Sequence, residues 1–282
     1  MDIAVIQHET ELGDKDRNVG RCVSRLEEVG AAGADLAVLP ELATTGYAAG
    51  EAFKDLAEPI PGPTTEAFGA IAAEHDMYVI AGLAERGDAA GVCYNSAVLL
   101  DPHGDVVGTY RKAHLPLHVH TFDSLIEERE IFSPGTELPV FETDLATIGI
   151  LICQDGNYPE AFRELALKGA DVIVIIYNSP TGEMLTLRSR VCAYVNNTYV
   201  ALANKTGTER SRYVGDRTEN RETVVEFTGR SHVVDPTGEI VEMLPRGETG
   251  ILNTTLDVGA VADARWKYKF LRDYRSDIYE HI

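Results

Sequence analysis

Three residue types that can carry out acyl-transfer chemistry stand at the ends of apolar runs in this chain. The first is Cys153, in the stretch Gly149-Ile150-Leu151-Ile152-Cys153-Gln154-Asp155-Gly156-Asn157-Tyr158-Pro159-Glu160. The run Ala146 to Ile152 is apolar and bounded by turn residues, which reads as a buried strand. Gly156 and Asn157 suit a sharp turn, and Pro159 with Glu160 suits the first turn of a helix. A thiol at a strand end facing a helix N-terminus is expected to have a lowered pKa, with turn amides aimed at a developing oxyanion. A buried core cysteine before a surface turn fits the same residues. The second residue is Glu41, in Leu39-Pro40-Glu41-Leu42-Ala43-Thr44-Thr45-Gly46-Tyr47, after the strand 35–39. The third is Lys112, in Tyr110-Arg111-Lys112-Ala113-His114-Leu115-Pro116, after the strand 106–109.

The elements that must hold these residues alternate along the chain. A strand over 3–7 leads to a helix over about 18–32, with Val19, Cys22, Val23, Leu26 and Val29 on one face. The strand 35–39 completes a strand-helix-strand unit of the α/β kind. A short helix over 51–56, a helix from Thr64 or Thr65 to about His75 and a strand over 78–84 follow. A hairpin over 95–110 turns at Asp101-Pro102-His103-Gly104. The segment 117–136 is a long connection of little periodicity, and such connections in compact domains are usually functional or mobile. Beyond the Cys153 turn come a helix over 161–168 and a β-branched strand over 171–177 that ends at Asn178-Ser179-Pro180. A helix over about 182–197 and a strand over 198–204 are next. The residues 205–222 read as a polar, charged surface loop. A last hairpin over 227–244 and a helix over 258–268 precede a tail rich in charge and tyrosine.

Three ordered motifs with compatible spacing resemble the nitrilase superfamily, the carbon-nitrogen hydrolases, nearly end to end. The resemblance implies a four-layer α-β-β-α sandwich. It also implies a Glu-Lys-Cys triad, in which Glu41 is the general base. Lys112 would then be an oxyanion donor together with the backbone N–H of Gln154, and Cys153 the nucleophile. Phe132-Ser133-Pro134-Gly135 is similar to the family's phenylalanine-x-proline-glycine segment. Many members carry a second glutamate six residues before that proline, which here is Glu128. An acidic, solvated loop holding Glu127, Glu128 and Glu130 is the alternative. Tyr47, Gln154, Asn157 and Asn178, at the same loop ends, are the expected substrate contacts.

The run Asp155-Gly156-Asn157-Tyr158-Pro159-Glu160 and the segment 193–201 look like those of aliphatic amidases. Nitrilases usually place tryptophan and glutamate after the cysteine, where this chain has Gln154 and Asp155. Members that cleave N-carbamoyl D-amino acids place arginines two or three residues after the nucleophile. Here those positions are Asp155 and Gly156, then Asn157, and Arg188 and Arg190 are the other arginines to consider. Arginine is the usual carboxylate clamp because its planar fork binds bidentately. The expected reaction is therefore hydrolysis of a small uncharged carboxamide through a thioester, with Asp155 facing the amide N–H. An N-carbamoyl amine is the alternative substrate, and a nitrile a more distant one.

Composition sets the outer bounds. The chain has 282 residues, and no linker or repeat divides it, so one domain over 1–282 with a tail over 270–282 is expected. A formal charge of -20, from 45 acidic and 25 basic residues, argues against nucleic acid or an anionic membrane as partner. No secretion signal or membrane-length apolar run is seen. Four cysteines without a Cys-x-x-Cys pair fit a reducing cytoplasm. Cys22, Cys93 and Cys192 have core-type settings. His114, His118 and His120 match no zinc spacing, so no metal or cofactor is expected. The tail carries Phe270, Leu271, Tyr274, Ile278 and Tyr279, apolar area that predicts at least a homodimer.

Overall fold

A computed structural model describes residues 1–116, 128–212 and 222–279. The first half runs β1 (Asp2–Gln7), α1 (Lys15–Ala31), β2 (Leu36–Val38), α2 (Phe53–Leu56), α3 (Pro63–His75), β3 (Tyr78–Arg86), β4 (Cys93–Leu100) and β5 (Val106–Arg111). The second half begins with α4 (Glu128–Ile131), β6 (Val140–Glu142), β7 (Thr147–Ile152), α5 (Pro159–Leu167), β8 (Val172–Tyr177), α6 (Gly182–Asn196) and β9 (Tyr199–Asn204). It ends with β10 (Thr206–Arg212), β11 (Glu222–Thr228), β12 (His232–Val234), β13 (Ile240–Met243), β14 (Gly250–Thr255) and α7 (Gly259–Tyr268).

Two six-stranded sheets have the orders β14-β1-β2-β3-β4-β5 and β13-β12-β9-β8-β7-β6. Each has a parallel centre (β1, β2 and β3 in one; β7, β8 and β9 in the other) flanked by antiparallel strands. Side chains alternate faces along a strand, so each central strand feeds two cores. Ile3, Val5, Leu36 and Val38 meet Ile148, Ile150, Val172 and Val174 between the sheets. Their neighbours Ala4, Ile6, Ala37 and Leu39 face outward against Cys22, Leu26 and Val29 of α1 and Phe68 and Ala72 of α3. On the far side, Leu151, Ile173 and Ile175 pack on Phe162 and Leu165 of α5 and Leu185 and Cys192 of α6. These strands therefore read as unbroken apolar runs, the mark of a sheet covered on both faces. The result is the expected α-β-β-α sandwich.

Three parts of the sequence reading need correction. Of the residues 205–222 read as a surface loop, 213–221 lie outside the described residues and the rest are not a loop. Thr206–Arg212 and Glu222–Thr228 form an antiparallel ribbon, and Lys205, Thr206 and Glu209 are buried. The last hairpin is shorter than expected: β12 pairs with β13, whereas Phe227 and Thr228 belong to the ribbon. The strand β14, absent from the sequence reading, pairs antiparallel with β1 from Asp2↔Thr255 to Gln7↔Gly250. Among the described residues, no helix is long and apolar enough to cross a membrane.

Candidate active site

The ends of β2, β5 and β7 deliver Glu41, Lys112 and Cys153 to one edge of the sandwich. Past β2, the backbone stays bound to β3 through Leu39 N–H to Ile80 O at 2.8 Å and Ala43 N–H to Gly82 O at 2.9 Å. A Cβ at position 82 would lie 2.6 Å from both the Glu41 Cα and the Pro40 carbonyl oxygen, so only glycine lets the Glu41 loop sit this close. Glu41 is fully buried, and its Oε1 accepts from Asn95 Nδ2 at 2.7 Å and Lys112 Nζ at 2.9 Å.

Lys112 is clamped on both sides of its backbone. Its N–H donates to Asn95 O, and its carbonyl accepts from Gly135 N–H, each at 2.8 Å. Its buried ammonium bridges Glu41 and Glu128, reaching Glu128 Oε1 at 2.8 Å. Burial opposes that charge, but Glu128 and Glu41 together outweigh it and hold the ammonium well above the usual lysine range. Glu128 opens α4 with 0 % exposure, and it also accepts from the Tyr47 hydroxyl at 2.8 Å. Burial pushes its carboxyl up, with Lys112 opposing and Glu41 adding to the rise. Glu130 is exposed, and Glu127 lies outside the described residues. Four buried side-chain atoms at this cluster have no hydrogen-bond partner among the described residues: Glu41 Oε2, Glu128 Oε2, Asn95 Oδ1 and Asn178 Oδ1.

Cys153 sits where β7 breaks into a short 3-10 turn over Cys153–Asn157, at φ 46°. A positive φ is uncommon for a residue with a side chain and marks a strained strand-to-helix turn. The turn is fastened by Asp155, whose Oδ2 accepts from Tyr110 OH at 2.7 Å and Ile152 N–H at 3.1 Å. Its Oδ1 accepts from the His114 N–H and meets His114 Nδ1, both at 2.8 Å. Asp155 is thus fully occupied, and the expectation that it faces a substrate N–H is overturned. The expected lowering of the thiol pKa is overturned too. Burial first, then the Glu41 charge, push the Cys153 thiol well above its ordinary value, against Lys112 and a backbone hydrogen bond from Asn178. Cys22, Cys93 and Cys192 are buried, with thiols pushed up to about 12, 11 and 11, and all four thiols are unbridged.

Of the other expected contacts, Asn178 joins the cluster by donating to the Glu41 carbonyl at 2.9 Å. Gln154 and Asn157 do not: their side chains bond each other at 2.8 Å on the exposed side of the turn. Tyr47 reaches the cluster through Glu128. Neither arginine does. Arg188 donates to Met184 O, and Arg190 donates to Gly238 O at 2.8 Å. The His114 ring is held between Asp155 and a stacked Tyr158 at 3.9 Å, and His118 and His120 lie outside the described residues. Among the described residues, no group of three or more His, Cys, Asp or Glu could hold a metal ion. The sequence reading missed Asn95, although an Asn-Ser pair inside an otherwise apolar strand was a visible signal.

Comparison with known proteins agrees with the fold. The family model described as carbon-nitrogen hydrolase matches residues 2–266. A nitrilase of Pyrococcus abyssi is 32% identical over 93% of this chain and 92% of its own length. Omega-amidase NIT2 of Danio rerio is 30% identical over 98% of this chain and 95% of its own. A crystal structure of a carbon-nitrogen hydrolase from Helicobacter pylori aligns with a TM-score of 0.85 at 26% identity, covering 99% of this chain and 96% of that one. With the family model matched over nearly the whole chain and the fold in agreement, this chain belongs to the carbon-nitrogen hydrolases of the nitrilase superfamily and is a hydrolase acting on carbon–nitrogen bonds.

Proposed function

We propose that the chain hydrolyses a small uncharged carboxamide to a carboxylate and ammonia, through a thioester on Cys153. Cys153 is the nucleophile, Glu41 the general base, and Lys112 and the Gln154 N–H the oxyanion donors. Glu128 holds Lys112. The observation that carries this reading is the single ammonium of Lys112 shared by two buried carboxylates, beside a thiol that burial and the Glu41 charge push above its ordinary range. Such a thiol needs a base at the moment of attack, and a buried carboxylate is placed to be one.

The Glu41 carboxylate takes the thiol proton as Sγ bonds to the amide carbon and the carbonyl π electrons move to oxygen. Lys112 and the Gln154 N–H stabilise that oxyanion. When the intermediate collapses, the carbon–nitrogen bond breaks, and Glu41 returns the proton to the leaving nitrogen, which departs as ammonia. Glu41 then takes a proton from water as its oxygen attacks the thioester carbon. The carbon–sulfur bond breaks, the proton goes to the thiolate, and the carboxylic acid leaves.

Preference for an uncharged substrate is supported by the engagement of Arg188 and Arg190 elsewhere, since neither reaches the turn. A nitrilase and an omega-amidase are both among the relatives, so the test must span both chemistries. Purified protein is assayed on small carboxamides, N-carbamoyl amines, N-carbamoyl amino acids and nitriles. The best kcat/KM should fall on an uncharged carboxamide, with ammonia released, and an N-carbamoyl amine is the second choice. A kcat/KM on N-carbamoyl amino acids more than about tenfold above the best amide sinks the reading.

The proposal treats 1–282 as one hydrolase domain, working in a reducing cytoplasm as at least a homodimer. Unbridged thiols support the compartment. The exposed stripe Met184, Leu187, Val191 and Tyr194 on α6 supports the dimer, because the Tyr194 ring contacts Phe270 at 5.3 Å and so joins the stripe to the tail. Sedimentation of the full chain and of a version lacking 270–282 decides it. A monomer in both cases counts against assembly.

A further inference from the structure

Behind the cluster lies a second buried lysine–glutamate pair that the proposed reaction does not use; burial pushes Lys205 well below the usual lysine range, with Glu41 opposing. Lys205 leaves β9 and Glu209 lies on β10, and both side chains are 1 % exposed and paired with each other. Glu209 is also the acceptor for three donors from two other loops. Thr10 Oγ1 reaches its Oε1 at 3.0 Å, Tyr47 N–H reaches both oxygens at 3.1 Å, and Ala48 N–H reaches Oε2 at 2.9 Å. Position 46 is built for that approach. Gly46 has φ +78°, and a Cβ there would lie 2.8 Å from Glu209 Oε1. Phe227 closes the arrangement, edge-on to the Tyr47 ring at 6.4 Å and beneath the Lys205 ammonium at 4.6 Å.

The consequence runs through Tyr47. Its backbone is anchored by one carboxylate and its hydroxyl donates to another, Glu128. Glu128 in turn shares Lys112 with Glu41. A continuous chain of hydrogen bonds therefore joins the ribbon to the base: Glu209, Tyr47, Glu128, Lys112, Glu41. We propose that Glu209 is a positioning residue for the hydrolytic site, acting through Tyr47 on the Glu128 carboxylate; this rests on the reaction set out above. Leaving Glu209 out lets Tyr47 drift from Glu128, and one donor that favours the ionised carboxylate is lost. The groups facing Glu128 are Lys112, Glu41 and the Tyr47 hydroxyl, with Cys153 within electrostatic reach. Of the two donors to Glu128, Lys112 and the Tyr47 hydroxyl, Tyr47 is the one whose backbone Glu209 holds.

The test compares Glu209→Gln, Tyr47→Phe and the double variant in the full chain. Each single variant should lower amide kcat by about tenfold while KM stays within about twofold, and should move the acid limb of kcat about one pH unit higher. Each should also change the rate at which iodoacetamide labels Cys153 by at least about threefold. The double variant should match Tyr47→Phe alone in both readouts, because Glu209 has no hydroxyl left to place. Glu209→Gln leaves Lys205 buried without an anion, so Lys205→Met/Glu209→Gln is made alongside and is read in its place if the single variant does not fold. Multiplying effects in the double variant, or an acid limb that stays put while kcat falls equally at every pH, overturns the proposal. The labelling arm needs no substrate. If wild type hydrolyses no amide, the proposed reaction fails while labelling still decides the role of Glu209.

Discussion

Replacing Lys112 by Met removes the one cation that Glu41 and Glu128 share and leaves a side chain of similar length. Both carboxylates are fully buried, at 2.9 and 2.8 Å from the lost ammonium. The least costly response is for one of them to take up a proton, and Glu128, already pushed up by burial, is the better placed. Holding a carboxyl of ordinary pKa about 4.3 protonated at pH 8 costs roughly 1.36 × 3.7, or about 5 kcal/mol. That agrees with the roughly 3–5 kcal/mol for breaking a buried pair from one side. At pH 5.5 the same step costs about 1.6 kcal/mol. The sign follows from linkage. Folded variant keeps a proton that the unfolded chain loses above about pH 4.3, so its stability falls as pH rises. Urea unfolding of wild type and Lys112→Met at both pH values is the assay. The variant should be about 5 kcal/mol less stable at pH 8 and under about 2 kcal/mol less stable at pH 5.5. Its kcat on a carboxamide should fall at least about 100-fold, the typical effect of losing an oxyanion donor. A stability loss that is equal at the two pH values, or below about 1 kcal/mol at pH 8, would falsify the shared-ammonium account.

Three more outcomes are expected. Cys153→Ala should abolish turnover and chelators should leave wild type unchanged; iodoacetamide should label Cys153 first and more slowly in Glu41→Gln, and mass mapping that finds Cys93 labelled first, with activity lost, overturns the assignment. Glu128→Gln should lower kcat by about tenfold or more, roughly 1.4 kcal/mol, while Glu127→Gln and Glu130→Gln matter less; equal, small effects from all three would remove Glu128 from the reaction. His8 is buried with neither ring nitrogen partnered among the described residues, and burial, aided by Lys205, pushes its pKa down to about 3. The unfolded chain binds a proton below about pH 6.5 that folded His8 refuses, so its stability is full above that pH and falls toward pH 3. At pH 5 the loss is about 2 kcal/mol, and His8→Gln should abolish that share of the pH dependence in urea titrations; unchanged slopes would exclude it.

The elements that carry the site were legible because they obey local rules. The runs before Glu41 and Cys153 are short, apolar and punctuated, and the three strand ends they share with Lys112 do converge. Glu128 was found only by its spacing from Pro134, since its burial depends on Lys112 and Tyr47 from distant segments. Lys205 and Glu209 were misread for the same reason. Two charges four residues apart in a polar run look solvated, and only the ribbon fold brings them under Tyr47 and Ala48. The direction of the Cys153 shift was misjudged because the turn geometry is local, whereas the burial and the Glu41 charge that dominate come from the other sheet. Asp155 likewise had a structural duty that no neighbour in sequence announces.

The pairing of β14 with β1 bears on how the chain is made. During synthesis the amino-terminal strand emerges first, yet one of its two edges stays open until residues 250–255 leave the ribosome. Its other edge can be closed early by Leu36–Val38. The nascent chain must therefore carry an apolar, unpaired strand edge from the synthesis of β1 until that of β14. Such an edge invites wrong partners and slows folding, because its contacts span nearly the full sequence. Premature termination before Gly250 thus leaves an aggregation-prone fragment even when Glu41, Lys112 and Cys153 have all been synthesised. Closing that sheet, rather than completing the cluster of reactive side chains, is the later event in synthesis.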